Sequence, residues 1–218
     1  MNNLIEYAPL FFQGTLITIA SWIVSGSISL LLGTIIGILS CQYLTSAPCD
    51  MLVKIYTFIA KGIPAYVQIL IAYFVIPSLL GINISGFVSA NCALAFCSSG
   101  YVTEIIRSGI NTIPRGQWDS CFVLGYPLRS TLRRIIMPQA IQNVLPSLLG
   151  ELEQLLKSTA LLATVGVTEI TRTGMNIISR ELNPFPVYLS IACIYLLLSA
   201  ILQFIKIFAK RNIYGYHQ

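Results

Sequence analysis

Three ionisable side chains sit inside an otherwise apolar run. Glu151, Glu153 and Lys157 fall within residues 144–167, and a charge at the centre of a membrane span costs about 2.5–3.5 kcal/mol even on insertion scales. Glu153 and Lys157 are four apart with the acid first, the favoured order for a helical ion pair. Glu151, Gln154 and Ser158 share a different face of the same helix. One face is expected to line a route for a polar solute, and the other to pair internally or with a partner subunit. The alternative is that all five are glue at a subunit interface. Two acids suit an ammonium or guanidinium group, although Lys157 offsets one of them. Enzyme chemistry has little material here. The only histidine is His217, the six cysteines show no CxxC or Cys/His spacing, and neither a disulfide framework nor a metal site is expected. No GxxxxGK[ST] occurs, so this chain is not expected to bind ATP.

A second polar stretch, residues 114–140, has turn residues at telling places. A short helix over Gly116–Leu124 is expected after Pro114, with Trp118, Cys121 and Phe122 on one face and Gln117, Asp119 and Ser120 mainly on the other. Gly125 is placed to stop it in the left-handed region. A second amphipathic stretch runs from Ser130 to Met137, until Pro138 is expected to reopen the chain. Basic residues beside a membrane commonly meet lipid headgroups. The framing by Pro114, Gly116, Gly125 and Pro138 is more structure than anchoring needs. An aromatic pair, Trp118 and Phe122, on a short helix suggests a knob for another protein's groove.

The elements that hold these residues follow from composition. Of 218 residues 56% are apolar and 10% charged, with mean hydropathy +0.78, against about 25% charged in soluble domains. The fold class is all-α integral membrane protein. Runs of about 20 apolar residues occur at 16–39, 55–76, 84–106, 144–167 and 187–208, giving five transmembrane helices in a single domain, 1–218, with a loop over about 107–140. Lys61-Gly62-Ile63-Pro64 should kink the second run at Gly62 and Pro64. Glu104 and Arg107 are expected to pair, and Asn91, Ser98 and Ser99 to hydrogen-bond between helices. The first 13 residues lack a basic n-region, so the first run reads as a retained span. Lys54, Arg107, Arg115, Arg129, Arg133, Arg134, Lys206, Lys210 and Arg211 fall on one side of this topology, and Arg172 and Arg180 on the other. That asymmetry sets the N-terminus outside and the C-terminus inside. The net charge of +5 is thereby accounted for by topology, and no nucleic-acid partner is expected.

The loop also carries a resemblance. Asp119-Ser120-Cys121, then Gly125, then Ile135-Ile136-Met137-Pro138 resemble the EAA-x3-G-x9-I-x-L-P pattern of permease subunits in binding-protein-dependent ABC importers. YVTEIIRSGINTIPRGQWDSCFVLG, MPQAIQNVLPSLL, LLKSTALLATVGVTEI and Lys61-Gly62-Ile63-Pro64 are similar to segments of the polar amino-acid (histidine/glutamine/arginine-type) branch, over roughly residues 14–208. The triplet departs from EAA, which bears on which ATPase it fits. The resemblance implies a type I importer permease fold in a bacterial cytoplasmic (inner) membrane. It implies coupling through Gly116, Gln117, Trp118, Asp119, Ser120, Cys121, Phe122, Gly125 and Pro138 to a cytoplasmic ATP-binding subunit that holds ATP and magnesium. It further implies a permease homodimer or heterodimer. An extracytoplasmic amino-acid-binding protein would face the outer loop Thr168–Pro186. In that family an acid often stands where Glu151 does, on a substrate-contacting helix. The cargo expected is a polar, possibly basic, amino acid. Another small solute, or a stand-alone ion-coupled carrier using Glu151, Glu153 and Lys157, are the alternatives, with a membrane-embedded enzyme ranked last.

Overall fold

The computed structural model describes residues 6–214, with side chains described as far as Phe208. Residues 1–5 and His217 lie outside the described residues, and Lys210 and Arg211 lie beyond the described side chains. All regular structure among the described residues is helical. The main helices are α1 (Ala8–Leu39), α2 (Ala47–Gly62), α3 (Ala65–Leu80), α4 (Gly86–Asn111), α5 (Arg115–Val123), α6 (Leu128–Thr131), α7 (Met137–Ser158), α8 (Ile170–Glu181) and α9 (Pro184–Tyr214).

Helix α1 is inside-out by the standards of a soluble protein. Its buried stripe is Phe11, Gly14, Thr18, Ser21, Ser25, Ser29, Gly33 and Gly37, while Phe12, Leu16, Ile23, Leu31, Ile35 and Leu39 are exposed. Small residues at three- and four-residue spacing let two backbones approach closely, which is how helices associate where the surroundings are as apolar as the side chains. A Cβ added at Gly33 would stand 2.5 Å from Val102 Cβ on α4, and one at Gly37 would stand 2.8 Å from Ile106 Cβ. Hydroxyls then tie the pair: Ser29 donates to Ser98 at 2.9 Å. Asn91 donates to the Phe87 carbonyl at 2.8 Å and, at 3.5 Å, to Ser21 on α1. Ser99 bonds the Tyr56 hydroxyl of α2.

The run 55–76 is divided between two helices. α2 and α3 meet at 96° across Ile63 and Pro64, because a residue before proline is pushed out of the helical region; Ile63 is extended at φ −92°, ψ 129°. Among the described residues, α1 and the 184–208 part of α9 are long and apolar enough to cross a membrane, and the bent pair makes a third if taken as one span. The run 144–167 also divides: α7 ends at Ser158 and a 3-10 segment, Thr159–Val165, follows to Gly166 at φ +82°.

Pro138 does not reopen the chain. The helix continues from α6 through a π turn, Leu132–Ile136, into α7, with Pro138 at its second position. A proline lacks an N–H and its ring crowds the carbonyl four residues back. Widening the preceding turn relieves that crowding without a break. The same device recurs in α3, where a π turn over Ile71–Val75 precedes Pro77.

The two ends of the bundle are distinct. At one, Tyr7 bonds Glu181 and Gly14 lies against the backbone of Ile170, so α1 begins beside α8. At the other, the Gln42 N–H donates to Asn111 at 3.1 Å and Tyr43 stacks on Trp118, which places the α1–α2 turn, the end of α4 and α5 together. The expected outer loop Thr168–Pro186 is therefore largely the helix α8. Its N-cap is Glu169, whose carboxylate accepts from the Thr171 and Arg172 N–H groups at 2.8 Å each and from the Tyr195 hydroxyl of α9 at 3.0 Å.

Candidate functional site

Where α2 breaks, the chain opens a cavity of about 290 Å³. Lys61, Ile63 and Pro64 line it from the break, Ser98 and Tyr101 from α4, and Glu151, Gln154 and Ser158 from α7. The face of α7 that the sequence sets apart by spacing is thus the face on the cavity. Glu153 and Lys157 lie on another side and form an ion pair at 2.8 Å. Glu151 Oε1 accepts from Ser98 at 2.7 Å, and Ser98 in turn accepts from Ser29, so a relay of two serines orients the carboxylate. No cation lies within ion-pair distance of Glu151 among the described residues, and its Oε2 has no hydrogen-bond partner there. A carboxylate held out of bulk water with an open oxygen favours a cationic hydrogen-bond donor.

The break itself is braced. Gln68, buried on α3, reaches back and donates from Nε2 to the carbonyls of Ala60 and Ile63, each at 2.8 Å. These are carbonyls that the interrupted helix would leave unpaired. Gly62 has open space around it, so a side chain there would meet no neighbour. Glu104 does not pair with Arg107. Lys61 takes Glu104, and its ammonium lies 5.6 Å from the Tyr101 ring centre. Arg107 pairs with Asp50 at 2.9 Å, and Asp50 also holds Lys54 at 2.7 Å. Helical spacing made Glu104–Arg107 look local; the close contact of α2 with α4 supplied better partners. Lys61, Gln68 and Ser29 are functional candidates that the linear order hid, because each acts across a helix pair that only the tertiary packing defines.

At the other end, α5 turns two unlike faces. Trp118 and Cys121 are buried within the chain. Trp118 stacks on Tyr43 with ring centres 4.4 Å apart and planes at 19°. Gln117 and Gln139 exchange amide hydrogen bonds at 3.0 and 2.7 Å, tying α5 to α7. Trp118 is therefore no knob: it is the root of the helix. Outward stand Gly116, Asp119, Ser120 and Phe122, followed by Val123 and Leu124 at 87% and 73% exposure. Gly125, at φ +73°, ends the helix, with the Tyr126 N–H donating to the Cys121 carbonyl and the Gly125 N–H to Phe122. That paired closure is the Schellman geometry. It leaves Phe122, Val123 and Leu124 as a bare apolar tip on a helix clamped from beneath.

Comparison with known proteins decides what kind of chain carries these features. The family model for the binding-protein-dependent transport system inner membrane component matches residues 29–213. The chain belongs to that family. This permease is similar to a Rickettsia typhi protein named for glutamine transport, GlnP, at 34% identity over 98% of this chain and 99% of that one. It is also similar to the arginine transport system permease protein ArtQ of Bacillus subtilis, at 32% identity over 96% and 94%. Among solved structures, one described as an amino acid ABC transporter with histidines superposes with a TM-score of 0.87 at 31% identity, covering 96% of this chain and 97% of that one. An inward-facing methionine transporter, MetNI, superposes at 0.84 with 18% identity, which speaks to the fold alone. The permease is thus a transport component of the inner membrane and not an enzyme.

Proposed function

We propose that this permease carries amino acids inward as one half of a permease dimer in an ABC importer. It crosses the bilayer five times with the N-terminus outside and the C-terminus inside. A cytoplasmic ATP-binding subunit, holding ATP and magnesium, docks on the tip of α5, and an extracytoplasmic amino-acid-binding protein docks at the end formed by α8. The observation that carries this reading is α5: an apolar tip with no partner among the described residues, on a helix rooted by Trp118 and Gln117. Motion applied at that tip passes through the Gln117–Gln139 pair to α7, the helix that bears Glu151. Orientation is supported by Arg107, Arg115, Arg129, Arg133 and Arg134, all in the stretch around α5, against Arg172 and Arg180 on α8.

The cavity between α2, α4 and α7 is proposed as a station on the substrate route. The relatives named for glutamine and arginine transport support a polar amino acid as the cargo, and every such molecule would bring an ammonium group to the open oxygen of Glu151. Reconstitution with the ATP-binding subunit and binding protein in proteoliposomes tests this. ATP-dependent uptake of radiolabelled glutamine or arginine is expected for the wild type, lowered about tenfold or more by Glu151→Gln, since a hydrogen bond to a charged group is worth roughly 1.5–3 kcal/mol. Unaltered uptake by Glu151→Gln would remove Glu151 from the route.

A further inference from the structure

We propose that Lys61 is the anion-reading residue of this cavity, taking the cargo's α-carboxylate in exchange for Glu104 while Glu151 takes the α-ammonium. The inference rests on the amino-acid reading above and adds a definite role for a residue outside the α7 cluster. Lys61 and Glu151 line the same cavity from opposite elements, one in the last turn of α2 and the other on α7. They are its only charged lining residues among the described residues. A cavity with one cation and one anion matches a zwitterion, whereas a purely cationic cargo would leave Lys61 repelling it. The volume of about 290 Å³ admits a single small solute.

The ion pair of Lys61 with Glu104 is suited to exchange. Glu104 is half-exposed on α4 and does not line the cavity, so losing Lys61 leaves its carboxylate in reach of water. Lys61 meanwhile keeps the face of Tyr101, a contact that favours the ammonium whichever carboxylate it faces. Its place in the last turn of α2, where cations are favoured, holds it there too. In the exchange, Lys61 releases an α4 partner and gains one inside the cavity. Because Lys61 is the residue two before the bend at Ile63–Pro64, cargo binding at this point bears directly on the angle between α2 and α3.

The experiment compares Lys61→Gln, Lys61→Arg and Glu104→Gln in the complete importer, reading ATP-dependent uptake of radiolabelled glutamine and arginine. ATP hydrolysis stimulated by the loaded binding protein is read in parallel. A structural ion pair treats its two ends alike; a cargo contact does not. Lys61→Gln is expected to lower uptake about tenfold, with measurable ATP hydrolysis showing that the complex is assembled, and Lys61→Arg to restore most of the uptake. Glu104→Gln, which removes only the competitor, is expected to keep at least about half of it. Equal damage from Lys61→Gln and Glu104→Gln, or near-normal uptake by Lys61→Gln, would overturn the inference while leaving the importer intact. A wild-type importer that moves neither amino acid would instead overturn the cargo reading, and this role with it.

Discussion

Trp118 and Phe122 sit four residues apart in the sequence and do opposite work. Trp118 is fully buried against Tyr43, whereas Phe122 is 57% exposed. Trp118→Ala should therefore act on stability, by about 3–5 kcal/mol for a buried tryptophan, lowering the unfolding midpoint of the detergent-solubilised protein. Phe122→Ala should leave that midpoint nearly unchanged and weaken retention of the ATP-binding subunit. Both residues could be placed on one helix from spacing alone. Which of them faces in could not, because the deciding partner, Tyr43, comes from a turn 75 positions earlier in the chain. The Asp50 carboxyl shows the same dependence on distant partners. The Lys54 ammonium, and behind it the Arg107 guanidinium, hold it below its ordinary value against the opposing effect of desolvation. A depressed carboxyl contributes stability that is fully present above the unfolded value of about 3.9 and is lost as pH falls through the folded one. The stability gap between wild type and Asp50→Asn should accordingly stay constant from about pH 7 to pH 5 and close only below about pH 4. A gap that closes near pH 6 would contradict this account of the Asp50 cluster.

Two devices at the level of elements set the shape of the cavity: the α2–α3 break and the close α1–α4 contact. Gln68→Leu removes the donor to the Ala60 and Ile63 carbonyls and should destabilise the break by about 1–3 kcal/mol, seen as faster proteolysis near residue 63. Gly62→Ala should be harmless to folding, since nothing stands within 4 Å of the added methyl. Gly33→Val should fail, because even its Cβ would collide with Val102. The helices of α1, α4 and α9 were legible from their runs of apolar residues, and the helix at 115–123 from Pro114 and Gly125. The π turns were not: Pro138 reads locally as a breaker, and only a widened turn at Leu132–Ile136 reveals otherwise. The 96° bend was visible as a proline in an apolar run, but its size depends on Gln68 reaching back across it. The face of α7 that lines the cavity was legible as a face; the cavity was not, because its other walls come from α2 and α4.

In the molecule as a whole, two ends of one bundle are joined. Glu151 and Lys61 face a cavity beside the break, and α5 offers an apolar tip at the end where the α1–α2 turn and the end of α4 also gather. Helix α7 connects them, held to α5 by Gln117–Gln139 at one end and carrying Glu151 further along. In the importer proposed above, this connection would pass work from the ATP-binding subunit to the cavity. The most direct test of the central claim is co-purification from detergent with the ATP-binding subunit, comparing wild type with Gly125→Arg. Gly125 lies at φ +73° with open space around it, so a side chain there strains the closure of α5 without clashing with the core. The wild type is expected to retain the ATP-binding subunit, and Gly125→Arg, still monodisperse, to lose it. Equal retention by both, or none by a well-folded wild type, would contradict the role assigned to α5.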